Sequence, residues 1–117
     1  MKDFAGSIQY KDKTYKLMFN LNVMEAIQEE YGTVEKWGAL TDGNETDGEP
    51  NAKAVIFGLR EMINEGIDID NETAEVKEPL MSLKQVGRLI SEVGFENATL
   101  ALNDTVVEST KSEEKNS

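Results

Sequence analysis

The chain has 117 residues, 38% of them hydrophobic and 30% charged, and its 23 Asp plus Glu against 12 Lys plus Arg give a formal charge of −11. It holds no cysteine and no histidine, which excludes disulfides, thiolate or imidazole metal sites, cysteine nucleophiles and a Ser-His-Asp triad. The acid excess argues against a basic track for nucleic acid or an anionic membrane, and no apolar run approaches the ~20 residues that span a bilayer.

Period-2 patterning opens the chain. Ile8 and Tyr10 alternate with Ser7 and Gln9, and Tyr15, Leu17 and Phe19 alternate with Lys16, Met18 and Asn20. Such alternation predicts a β-hairpin turning at Lys11-Asp12-Lys13. The Tyr15, Leu17 and Phe19 face needs a cover, since an isolated hairpin is marginal in water. The period then changes. Asn22 with Glu25 reads as a capping box before a helix carrying Val23, Met24, Ile27 and Tyr31, which Gly32 ends. Thr33 caps a short helix with Val34, Trp37 and Leu40, and Trp37 is expected to be at least half buried.

Residues 41–50, TDGNETDGEP, hold four acids and no base and read as a mobile, disordered acidic loop. Asn51 or Pro50 starts a third helix with a broad apolar stripe of Val55, Ile56, Leu59, Met62 and Ile63, and Gly66 is expected to end it. A second acidic stretch covers 67–79. Ser82 and Gln85 then form a capping-box pattern before the stripe of Leu83, Val86, Leu89, Ile90 and Val93. Gly94 breaks it, and Phe95, Ala98, Leu102, Thr105 and Val106 continue as a last helix. Residues 108–117 lack large apolar side chains and are expected to be a disordered tail. The pattern predicts one α+β domain over 1–107, an N-terminal β-hairpin packed on about four or five helices.

Candidate sites are few. An EF-hand loop begun at Asp42 places Asp47 where Gly makes the turn and Lys53 where Glu supplies two oxygens; one begun at Asp68 ends on Pro79. Both fail, so solvated acidic loops are expected rather than calcium sites. Adjacent acids such as Glu29 and Glu30 lack the separated geometry of a glycosidase pair. No phosphate-cradling glycine loop occurs. Four Asn-x-Thr triplets occur, but Met1-Lys2-Asp3-Phe4 is not followed by the apolar run of a signal peptide, so they are not expected to be glycosylation acceptors. Glycine inside a helix costs about 1 kcal/mol, so Gly58 and Gly87 signal close packing. For Gly58 the chain's own core is the favoured neighbour; for Gly87 a partner helix is an equal alternative. No catalytic constellation, cofactor site or metal site is assembled, and the chain is expected to bind rather than catalyse. It is also expected to be soluble and cytoplasmic.

The run Tyr15-Lys16-Leu17-Met18-Phe19-Asn20-Leu21-Asn22, followed by Glu25-Ala26-Ile27-Gln28-Glu29-Glu30-Tyr31-Gly32, resembles the tail assembly chaperones of long-tailed bacteriophages and prophages of Gram-positive bacteria. A Trp-bearing short helix, the apolar Ala54-Val55-Ile56-Phe57-Gly58-Leu59 and a final helical pair extend the likeness in outline over 8–107. The resemblance implies a protein of the bacterial host cytoplasm that binds the tape-measure protein, keeps it soluble, helps recruit tail-tube proteins and leaves before the virion is complete. It also implies that a longer, frameshifted form can accompany such a chain. A partner groove is expected between the helices at 83–93 and 95–106, near Val86, Ile90, Leu102 and Val106; the rival expectation is that these side chains are core. A homo-oligomer stays open. The alternatives are a neck or tail-completion protein retained in the virion, and an acidic DNA mimic. The mimic would need carboxylates along one rigid face, whereas here they gather in loops.

Overall fold

The computed structural model describes residues 5–43 and 48–115, and the surroundings of side chains over 6–43 and 48–110. The alternating segment forms β1 (Ala5–Tyr10) and β2 (Lys13–Met18), an antiparallel pair with Ile8 opposite Tyr15 and Gly6 opposite Leu17. The turn is Lys11 and Asp12, with Lys11 at φ 56°. Five helices follow among the described residues: α1 (Leu21–Tyr31), α2 (Val34–Asp42), α3 (Ala52–Asn71), α4 (Leu83–Val93) and α5 (Phe95–Lys115). The architecture is α+β, with the hairpin packed on the helices as its period-2 pattern predicts.

The central element is α3, which touches β2, α1, α2, α4 and α5. Its core face presents Val55, Leu59, Met62 and Ile63, all fully buried. Trp37 from α2 lies across it at 1% exposure, donating from Nε1 to the Ala54 carbonyl at 3.0 Å. Phe19 stacks on the indole with ring centroids 6.3 Å apart. A Cβ on Gly58 would stand 2.4 Å from the Trp37 ring, so this glycine serves the chain's own core. The hairpin is seated the same way. A Cβ on Gly66 would meet the Lys16 carbonyl at 2.8 Å, and one on Gly6 would meet Thr105 Oγ1 at 2.2 Å. Backbone thus approaches α3 and α5 closely, and Ile8 and Leu17 enter the shared core.

The caps at Thr33, Asn51 and Ser82 form as expected, the last with both bonds of its capping box. Four expectations are corrected. The cap of α1 is Asn20, whose side chain accepts from the Val23 N–H; Asn22 lies inside the helix and donates to Glu65. Helix α2 continues through Thr41 and Asp42, because Thr41 is buried and its hydroxyl donates to the Gly38 carbonyl. Only 48–50 of the rest of that acidic loop beyond Gly43 is described, and residues 44–47 lie outside the described residues. Helix α3 does not stop at Gly66 but runs to Asn71, since Ile67 is still buried and Asp70 reaches Lys16 at 3.0 Å. Helix α5 runs to Lys115, past the expected end at 107; Ser109 is buried and the Thr110 hydroxyl donates to Val106. Extending a formed helix requires no new nucleus, so a polar sequence can follow an anchored one. Residues 116–117 of the expected tail lie outside the described residues.

Two asparagines fasten the segment between α3 and α4. Asn64 donates to the Met81 carbonyl at 3.0 Å and accepts from its N–H at 2.8 Å. Asn71 makes the same paired contact with Glu78, 2.9 Å each way. Lys13 adds an ion pair to Glu78.

Two measurements test this packing. Gly58→Ala is expected to destabilise by about 1–3 kcal/mol despite its better helix propensity, because the methyl overpacks Trp37. Gly87→Ala has the opposite expected sign, raising stability by about 1 kcal/mol, since a Cβ there would meet only Ile56 Cδ1 at 3.9 Å. Urea unfolding followed by Trp37 fluorescence reads both; equal shifts would contradict the assignment. Asn64→Asp removes a donor and sets a carboxylate against the Met81 carbonyl, at an expected cost of about 1–3 kcal/mol. Faster amide exchange around 80–84 would accompany it.

Candidate functional site

Asn64 holds Met81 just before the Ser82 cap of α4, and farther along α4 Gly87 faces Ile56. As α4 advances, its neighbours on α3 recede in number, so the two helices run antiparallel. Their inner faces close on the core. Their outer flanks diverge into an open groove of about 1140 Å³. Its floor is Ile56, Phe57, Leu83 and Gly87. Leu83 is 45% exposed, and Ile56 and Phe57 are partly buried. The spacing 83, 87, 91 places Leu, Gly and Ser on one line of α4, so the wall dips in the middle.

The rim is basic. Lys53 and Arg60 stand on α3, and Lys84 and Arg88 on α4. Arg60 pairs with Glu61 at 2.6 Å and lies 5.6 Å from the Phe57 ring centre. Lys53 approaches Glu30 at 3.9 Å. Lys84 and Arg88 are exposed and have no ion-pair partner among the described residues. Ser91 and Glu92 complete the end nearest Glu30. A separate cleft beside Thr41 and Phe95 holds about 440 Å³, less than half as much.

The expected groove between α4 and α5 is not where the open surface lies. Val86 and Leu102 are 0% exposed and Ile90 5%, all within the core, and Val106 packs against it partly buried. A partner could reach Val86, Ile90 and Leu102 only by parting α4 from the core. The open groove lies on the neighbouring flank of α4, and its α3 half escaped the sequence reading. Two signals marked it: an α3 stripe broader than one face needs, and a glycine in mid-helix at 87.

Among the described residues, no group of three or more acidic side chains lies close enough to hold a metal ion. No helix among them is long and apolar enough to cross a membrane. The groove offers shape, apolar area and positive charge, which are means of binding. Comparison with family models, curated proteins and solved structures finds no match to this chain.

Behind the groove, Tyr31 meets Phe57 edge to face with ring centres 5.6 Å apart. Its hydroxyl is buried and has no hydrogen-bond partner among the described residues. Burial, aided by Glu30, raises the phenol above its ordinary 10.0. Lys13 is raised above 10.5, chiefly by its hydrogen bond to Glu78. In both cases the folded state favours the protonated form. Their contribution is therefore complete below pH 10 and is lost as pH rises through the raised folded-state values. Urea midpoints from these groups should stay level from neutrality to about pH 9 and decline above about pH 10. Tyr31→Phe should flatten that alkaline decline; an unchanged slope would remove Tyr31 from it.

Proposed function

We propose that this protein is a bacteriophage or prophage tail assembly chaperone that acts by binding and not by catalysis. In the cytoplasm of the bacterial host it holds the tape-measure protein and helps recruit tail-tube protein. The open α3–α4 groove carries this reading, alongside the resemblance at residues 15–32. A tape-measure protein is long and helical, and before assembly it exposes amphipathic stripes that would aggregate. A groove with an apolar floor and a polar rim receives such a stripe in the helix-in-groove manner. Each large apolar side chain buried there contributes about 1.5–3 kcal/mol. The net charge of −11 opposes aggregation of the loaded complex.

Co-expression with the cognate tape-measure protein tests the proposal. The expected result is a soluble complex that co-purifies, with this chain missing from finished virions by mass spectrometry. Leu83→Asp changes an exposed residue and should leave the fold intact while weakening capture about tenfold or more. A tape-measure protein that stays insoluble, together with stoichiometric amounts of this chain in virions, would overturn the proposal in favour of a structural component.

A further inference from the structure

We propose that the α3–α4 groove is selective for amphipathic helices whose apolar stripe is flanked by acidic residues. This rests on the groove being the binding site and specifies the chemistry of its partner.

Charge placement is the first argument. Acids outnumber bases almost two to one in the whole chain, 23 to 12, yet Lys53, Arg60, Lys84 and Arg88 ring one groove whose lining among the described residues has Glu30 and Glu92 as acids, with Glu61 paired to Arg60 beside it. The two anions sit toward the Lys53 end, where Glu30 already answers Lys53. Lys84 and Arg88 are left without an ion-pair partner among the described residues. They stand four residues apart on one helix face, about 6 Å between Cβ atoms. Carboxylates one turn apart on an incoming helix have the same spacing.

Shape is the second argument. Gly87 leaves a hole between Leu83 and Ser91, with Ile56 Cδ1 at its base. A single large apolar side chain would enter it as a knob enters a hole. Helix α4 has 11 residues, so the wall is about 16 Å long and matches roughly three turns of a partner helix. A second copy of this chain is the weaker occupant, since each copy carries −11 and the two would repel.

Two fluorescein-labelled helical peptides of about four turns test the inference. They share one Leu and Phe stripe and differ only in having Glu or Lys beside it. Fluorescence anisotropy against the full chain should show the Glu peptide binding at least about tenfold more tightly, with the advantage shrinking as salt rises. The Lys84→Glu/Arg88→Glu double variant should abolish or invert the preference. Gly87→Leu should weaken both peptides by filling the hole, with Trp37 fluorescence verifying the fold. Equal affinities, a preference unchanged in the double variant, or binding indifferent to Gly87→Leu would each overturn the inference. Dimerisation of the free chain that Gly87→Leu abolishes would also overturn it. Tape-measure capture is read separately in the same variants. Capture undiminished by the double variant overturns the charge selectivity and leaves the chaperone reading standing. Tight Glu-peptide binding with no tape-measure capture does the reverse.

Discussion

The indole of Trp37 can lie against α3 because residue 58 has no side chain. That approach fixes the distance between α2 and α3, and the hydrogen bond to the Ala54 carbonyl fixes the register of the ring. Phe19, the first core residue after the hairpin, stacks on the same side chain. Leu102 of α5 approaches Gly58 beside the indole. Elements from both ends of the chain are therefore positioned against one helix by one aromatic side chain. The groove shares this helix, since its α3 wall of Lys53, Ile56, Phe57 and Arg60 lies on the element whose inner face Trp37 packs.

Most of the element order was legible from period and caps. The hairpin followed from alternation, and Thr33, Asn51, Ser82 and Gly94 mark boundaries where the backbone changes course. The misplacements share a cause. Local propensity at Gly66 and over the polar run after Val107 favours stopping. Tertiary contact overrode it, through the Lys16 carbonyl for Gly66 and through the anchored turns of α5 for the tail. Asn20 and Asn22 both suit the cap of α1, and both side chains donate to Glu65; the fold separates them because the Asn20 side chain also accepts from the Val23 N–H. The paired bonds of Asn64 and Asn71 have no sequence pattern at all, since their partners lie 17 and 7 residues away.

The candidate groove was less legible than the fold. An apolar stripe says which residues leave water, and it does not say whether the chain or a partner covers them. Val86, Ile90 and Leu102 leave water in the core. Ile56, Phe57 and Leu83 have the same chemistry but lie at the edge of their stripes, where α3 and α4 diverge. The separating fact is the angle around each helix at which the neighbouring helix ends, and that is set by long-range packing. Besides the broad α3 stripe, Gly87 was a local sign, because its helical cost is repaid by no contact of its own core closer than 3.9 Å.

Solubility and binding draw on opposite distributions of charge. A chain that exposes an apolar groove without a partner risks burying it against another copy, and a uniform net charge opposes that encounter at every orientation. The same uniform charge would also oppose an acidic partner. Concentrating bases on the groove rim separates the two effects by distance. At physiological salt the Debye length is about 8 Å, so the acids on the hairpin-side end of α3, such as Asp70 with its partner Lys16, are screened from an occupant of the groove. Lys84 and Arg88, on its rim, are not. The net charge then governs how copies of the chain meet, and the local charge governs what enters the groove.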